Sequence, residues 1–216
     1  MAIVDYSSLK TTLADYLHRS DLSDVVLSNF VQFAESRLNR KLRLLQQEAT
    51  ATVTVAQGAN TATLPSDWVE TIDLIHSDDK SALTAQSVKA LNSQSNTSTS
   101  LSRPRLYATT NGYNLLFNTN ADQEYSLSLN YFKRWDIETD LTNWLILNAP
   151  DAYLYGALLE AKAYIKKAED ISLWSSGLTT AMDDLNRNDN RSRRNATSRV
   201  DSALVKTGRF DINRGY

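Results

Sequence analysis

The sequence predicts an α+β protein: a four-helix bundle from N- and C-terminal helical hairpins, an inserted small antiparallel β domain and an extended C-terminal arm. Three observations carry this. The apolar period changes from 3.6 to 2 near Glu48 and returns to 3.6 after Pro150. An Asn111-Gly112 pair marks a tight hairpin turn in the period-2 region, because both residues tolerate positive φ. The last thirty residues contain too few large apolar groups to pack a core. The implied boundaries are 1–47 and 144–187 for the bundle, 48–143 for the inserted domain and 188–216 for the arm.

The elements follow in order. "YSSLKTTLADYLHR" places Leu9, Leu13, Tyr16 and Leu17 at helical spacing. Ser20 or Asp21 can cap a second, longer helix by accepting a backbone N–H of its first turn. Its apolar stripe is Leu27, Phe30, Val31, Ala34, Leu38, Leu42 and Leu45. Arg37, Arg40, Lys41 and Arg43 crowd its C-terminal half, where cations complement the helix dipole. "EATATVTVAQGANTATLP" then alternates threonine with alanine and valine around Gln57-Gly58-Ala59-Asn60, the pattern of a β-hairpin.

"WVETIDLIHS" can add a strand, "LTAQSVKALNSQ" a short helix, and the polar run "NSQSNTSTSLSRP" a loop. "RLYATTNGYNLLFN" reads as a hairpin. In "EYSLSLNYFKRW", Tyr125, Leu127, Leu129 and Tyr131 share one face against serine and asparagine on the other, so one face is buried and one wet. Asn148 can cap the next helix, and Pro150 suits its first turn, where a missing N–H costs nothing. Leu154, Leu158, Ala161 and Ile165 form one apolar line, Tyr155, Leu159 and Ala163 another, and Gly156 permits close approach. A helix apolar over that much of its surface meets more than one partner. A last helix uses Ile171, Trp174, Leu178, Ala181 or Met182, and Leu185.

Composition excludes several chemistries. The 216 residues contain no cysteine, so disulfides, thiolate nucleophiles and the common zinc ribbons are out. The two histidines, His18 and His76, have no second ligand at metal spacing; "HSDDK" reads as an acidic turn. Nucleophile-elbow, phosphate-loop and dinucleotide-binding glycine patterns are missing among six glycines. Glu35, Glu48 and Glu70 are the carboxylates that could serve a cell-wall hydrolase; the reading assigns no catalytic, cofactor or metal residue. The N-terminus does not read as a signal peptide, and no run approaches the roughly 20 apolar residues of a membrane span, which points to an aqueous, cytoplasmic compartment.

Charge is unevenly shared. Residues 187–216 carry eight basic and three acidic groups, +5, which leaves −7 on the rest of a chain whose net charge is −2. Two surfaces of opposite sign meet different partners. Arginines 187, 191, 193, 194 and 199 could neutralise nucleic-acid phosphates, but only Phe210 and Tyr216 offer rings to stack on bases.

Four stretches in order resemble one family: "FVQFAESRLNRKLRLLQQEATATVTV", "ATLPSDWVETIDLI", "SRPRLYATTNGYNLLFN" and "TNWLILNAPDAYLYGALLEAKAYIKKAEDISLW". They are similar to the head-to-tail adaptor proteins of tailed bacteriophages, especially the short-tailed type, over residues 6–187. The resemblance implies a structural virion protein, not an enzyme, that assembles as a homo-dodecamer at the head-tail junction. It joins the portal ring to a distal tail protein such as a nozzle or tail fibre. It also implies a channel that DNA crosses without specific binding, no cofactor and no membrane. By that resemblance Arg191, Arg193, Arg194 and Arg199 pair with acidic portal groups and Val200, Leu204, Phe210 and Ile212 fill portal grooves. Tyr155, Leu159 and Tyr164 then contact the neighbouring protomer. The alternatives are a nucleic-acid-binding accessory protein using the basic arm, or a tail-associated cell-wall hydrolase.

Overall fold

The computed structural model describes residues 2–94, 101–111, 113–165 and 171–197. Helix α1, Tyr6–Leu17, is opened by a reciprocal cap in which Asp5 accepts the Ser8 N–H and Ser8 accepts the Asp5 N–H. His18 closes it in the left-handed conformation. Helix α2, Asp24–Lys41, starts at Ser23 rather than at Ser20 or Asp21. The reason is local: Arg19 and Asp21 pair with each other, and Ser23 Oγ takes the Val26 N–H. The α2 stripe from Leu27 to Leu42 is buried, whereas Leu45 is exposed because a short 3-10 turn, Leu45–Gln47, rotates it outward.

Strands β1 (Glu48–Val55), β2 (Thr61–Thr63), β3 (Trp68–His76) and β4 (Thr84–Ala85) precede the short helix α3 (Val88–Gln94). Strands β5 (Leu106–Thr110), β6 (Asn114–Phe117) and β7 (Tyr125–Lys133) follow. The expected β1–β2 hairpin does not form. β1 pairs with β7 in a sheet of order β1-β7-β3, and β2 pairs with β6 in a sheet of order β2-β6-β5-β4. The turn is present, with Gly58 at φ +79°, but it carries the chain from one sheet to the other. The turn is bound to the segment before β7: Gly58 N–H donates to Ala121 O, and Ala59 O accepts the Ala121 N–H.

The β5–β6 hairpin does form, with Asn111 at φ +50°. Of the polar run 92–104 expected as a loop, residues 92–94 end α3, 101–104 have no regular structure, and 95–100 lie outside the described residues. On β7, Tyr125, Leu127, Leu129 and Tyr131 are buried, as their alternation predicts, opposite Val55, Val53, Ala51 and Ala49. The wet face holds a rung across three strands: Thr50 Oγ1 donates to Asn130 Oδ1 (2.6 Å), and Asn130 Nδ2 donates to Asp73 Oδ1 (2.7 Å). Both sheets contribute to one apolar core, with Leu74, Leu115, Phe117, Leu127 and Leu129 at its centre.

Helices α4 (Trp144–Asn148), α5 (Pro150–Ile165) and α6 (Ile171–Thr197) complete the chain. Asn148 does not cap α5; it lies in α4, where its amide donates to Trp144 O, and Asn143 caps that helix. A second core is built from α1, α2, α4, α5 and α6, with α5 in contact with the other four. Trp135 and Ile137, on the segment leaving β7, belong to this core and not to that of the sheets. Gly156 is the close-approach point: a Cβ there would lie 2.9 Å from Ala34 Cβ on α2. In α6, Trp174, Leu178, Ala181, Met182 and Leu185 are buried, and Ile171 is exposed.

The expected start of an extended arm at 188 is not observed; α6 continues to Thr197. Neither glycine nor proline interrupts it after Gly177, and its polar end is tied down. Asp189 Oδ1 accepts the Leu45 N–H (2.7 Å), and Arg193 pairs with Asp189 one turn back (2.6 Å) and with Glu48 of β1 (2.8 Å).

Candidate functional site

The place where the two cores meet is built mostly by α2. Two of its side chains, four residues apart, hold the segment that returns from β7. Asn39 makes a two-point clasp on Trp135, donating to its carbonyl (2.9 Å) and accepting its N–H (2.8 Å). Glu35, one turn earlier and buried, accepts the Ile137 N–H (2.9 Å) and the Tyr153 hydroxyl (2.6 Å). Asn143 completes the chain by donating to the Tyr153 oxygen (2.9 Å) while its own carbonyl caps α4. Thus α2, the return segment, α4 and α5 share one buried hydrogen-bond network.

Burial pushes the Glu35 carboxyl up to about 6, against the lowering effect of those two donors; Asp136 and Glu138 add a smaller upward push. The Tyr153 hydroxyl is raised by burial and by the adjacent Glu35. A carboxyl in this position is occupied as an acceptor and serves architecture. In the sequence Glu35 stands out only as a candidate acid. The available signal was two polar residues at i and i+4 beside the Ala34–Leu38 stripe, a spacing that places both on one face.

Next to this network lies a cleft of about 640 Å³ lined by Arg40, Arg43, Trp68, Arg134, Asp136 and Glu138. Arg43 closes one side, donating to the Asn39 and Leu42 carbonyls at the end of α2 and pairing with Glu70 of β3 (2.7 Å). Glu48 and Glu70 are both ion-paired to arginines. The three carboxylates singled out in the sequence therefore act as a hydrogen-bond acceptor and two salt-bridge partners. Among the described residues no group of three or more histidines and acids could hold a metal, and no helix is long and apolar enough to cross a membrane.

The residues expected to bind the portal divide in two. Arg191, Arg193 and Arg194 stand on the last turns of α6. Arg193 is engaged within the chain, its guanidinium also 6.0 Å from the Phe132 ring; Arg191 and Arg194 are exposed. Arg199, Val200, Leu204, Phe210 and Ile212 lie outside the described residues.

Of the residues expected between protomers, Tyr155 and Leu159 are half-buried against the helical core. Tyr155 covers Gly177, where a Cβ would lie 2.9 Å from the ring. Tyr164 is 61% exposed and meets Phe30 edge-on at 5.5 Å. Phe33, 58% exposed on α2, is a further large apolar side chain that the sequence reading did not single out.

No curated protein matches the chain. The family model described as SU10 adaptor protein matches residues 4–201, which contain both cores and all of α6. The chain therefore belongs to the SU10 adaptor protein family and is a structural phage adaptor, a component of the virion.

Proposed function

We propose that this adaptor joins the portal ring of a short-tailed phage capsid to the tail, as one of twelve copies in a ring around the DNA channel. In this reading the helices at 1–47 and 144–187 work as a four-helix bundle that forms the ring, and the inserted β-rich part, 48–143, faces the distal tail protein. DNA passes without specific binding because the chain outside residues 187–216 carries a net −7.

The observation that carries the reading is the contrast between that acidic portion and a basic C-terminus presented on a long helix. Arg191 and Arg194 are exposed on α6, and the segment beyond adds Arg199, Lys206, Arg209 and Arg214. These cations, with Val200, Leu204, Phe210 and Ile212, grip acidic and apolar groups of the portal. Tyr164, with Tyr155 and Leu159 beside it, supplies the contact to the neighbouring protomer. The engagement of Arg193 inside the chain removes it equally from portal binding and from the alternative in which the basic end binds nucleic acid. The ion pairs of Glu48 and Glu70 and the buried hydrogen bonds of Glu35 weaken the hydrolase alternative.

The test is co-sedimentation with the cognate portal ring of the full chain beside a chain ending at Thr197. The cut at 197 keeps Asp189 and Arg193, which a cut at 187 would remove together with their contacts to Leu45 and Glu48. Stoichiometric binding by the full chain and none by the shortened one is expected. Equal binding by both would refute the assignment of the C-terminal segment.

A further inference from the structure

The cleft at the meeting of the two cores has more hydrogen-bond donors than its own acceptors engage. Each of its carboxylates already has a donor. Glu35 accepts from Ile137 N–H and the Tyr153 hydroxyl. Asp136 accepts the Thr139 N–H (3.3 Å) and hydroxyl (3.1 Å), and Glu138 accepts the Tyr6 hydroxyl (3.3 Å). Arg43 is engaged by two carbonyls and by Glu70. Three donors of the same lining are left over. The guanidinium groups of Arg40 and Arg134 are exposed, and neither has a hydrogen bond or ion pair among the described residues, although Asp136 and Glu138 share the lining. Trp135 is 5% exposed, and its indole N–H is buried with no hydrogen-bond partner among those residues. A buried donor left unpaired costs about 1–3 kcal/mol, so its presence in a cleft calls for an explanation.

The backbone brings the two free arginines to this cleft from different elements. Arg40 lies in the last turn of α2, next to Asn39. Arg134 immediately precedes Trp135, whose backbone N–H and carbonyl Asn39 clasps. Positions 40 and 134 are therefore fixed on either side of that clasp, one on the helical core and one on the segment leaving the sheets. The Arg134 N–H is itself held by Asp67 O (2.8 Å), just before β3. Trp68 and Val69, both half-buried, add apolar surface to the lining. The cleft thus offers two planar donor forks beside an apolar wall, and what it lacks is an acceptor. A carboxylate has that chemistry: it only accepts, and it matches a guanidinium through two parallel hydrogen bonds.

We propose that this cleft is a docking site for an acidic peptide segment of a partner protein, with Arg40 and Arg134 together holding an aspartate or glutamate carboxylate. A carboxylate held there links α2 to the segment returning from β7, so binding stiffens the joint between the two cores. Nucleic acid suits the cleft less well. Its lining sets three arginines against three carboxylates, which leaves no excess of positive charge to hold a run of phosphates. A volume of about 640 Å³ admits side chains and not a duplex. The inference goes beyond the portal reading and stands without it, because both arginines lie outside residues 187–216.

The test is an NMR titration of the full chain with a short glycine peptide that carries two spaced glutamates and is blocked at both ends. The indole N–H signal of Trp135 is expected to shift, together with the backbone amides of Arg134 and Trp135. Arg40→Gln and Arg134→Gln, each at an exposed position, are each expected to weaken binding about tenfold, the effect of losing one charge-assisted pair. Lys41→Gln removes an exposed cation of the same turn that is not part of the lining, and is expected to leave binding unchanged. Any of three results would overturn the proposal. The first is no shift at millimolar peptide. The second is binding that survives both arginine substitutions, which would place the peptide elsewhere, for instance on the basic C-terminal residues. The third is displacement of the peptide from Arg40 and Arg134 by inorganic phosphate or a short DNA duplex at lower concentration, which would make the cleft a phosphate site.

Discussion

Glu35→Gln isolates the cost of keeping a carboxylate between the two cores. The wild-type group is 7% exposed and accepts from Ile137 N–H and Tyr153 Oη–H. Glutamine keeps an oxygen for both donors and removes the ionisation. Because burial raises the folded-state carboxyl from 4.5 to about 6, the folded chain takes up a proton at a pH where the unfolded chain does not. Wild-type stability should therefore rise as pH falls from above 6 toward 4.5 and gain nothing more from this group below that. The size follows from the linkage relation at 1.36 kcal/mol per unit, about 2 kcal/mol. Asp136 and Glu138 are present beside Glu35 in both chains, so the difference between wild type and variant is the informative quantity. Urea unfolding from pH 4.5 to 8 should show Glu35→Gln ahead by about 2 kcal/mol at pH 8 and level with wild type near pH 4.5. A constant difference across that range would refute the reasoning, since the carboxylate would then carry no burial cost.

Two more perturbations probe the same junction and the helix crossing beside it. Asn39→Ala removes both hydrogen bonds to the Trp135 backbone; a loss of about 1–3 kcal/mol is expected, with faster exchange of the Trp135 and Ile137 amides. An unchanged urea midpoint would mean that the clasp adds nothing. Gly156→Ala places a methyl 2.9 Å from Ala34 Cβ, and overpacking of about 1–3 kcal/mol should exceed the helix-propensity gain of about 1 kcal/mol. Thermal unfolding should show a lower Tm for Gly156→Ala and recovery on adding Ala34→Gly; failure of the second change to restore stability would place the strain elsewhere.

The sequence was most legible where structure is local. The α2 stripe as far as Leu42, the alternation of β7 and the β5–β6 hairpin at Asn111 each depend on residues within a few positions of one another, and each appears as expected. The β1–β2 hairpin failed because a turn signal fixes a reversal of the chain and not the pairing that follows. Val53 and Val55 find Leu127 and Tyr125, some seventy residues away, and Ala62 finds Leu115. The α6 end failed for a related reason. Beyond Leu185 its composition reads as a solvated tail, and the groups that hold it, the Leu45 N–H and Glu48, lie about 145 residues earlier. At the junction, Glu35 and Asn39 carried a spacing signal, but their partners, backbone groups of Trp135 and Ile137, have no side-chain signature.

These two failures have a common consequence for how an adaptor of this shape can respond to a partner. Had β1 and β2 paired, the β1 edge would be closed, and had the chain left the helices at 188, the ties of Asp189 to Leu45 and of Arg193 to Glu48 would be missing. Instead α6 packs on the helical core as far as Leu185 and then ties itself to β1 through Asp189 and Arg193. A pull on residues beyond Thr197 is therefore felt first at Glu48 and Leu45, where α2 hands over to the sheet, and next to the segment held by Glu35 and Asn39. Asp189→Ala tests this tie. It removes the acceptor for Leu45 N–H and one partner of Arg193, and should raise exchange at Leu45 while leaving the amides of Leu9 and Leu13 protected. If those α1 amides loosen as well, the tie is part of global stability rather than a local coupling, and this argument is wrong.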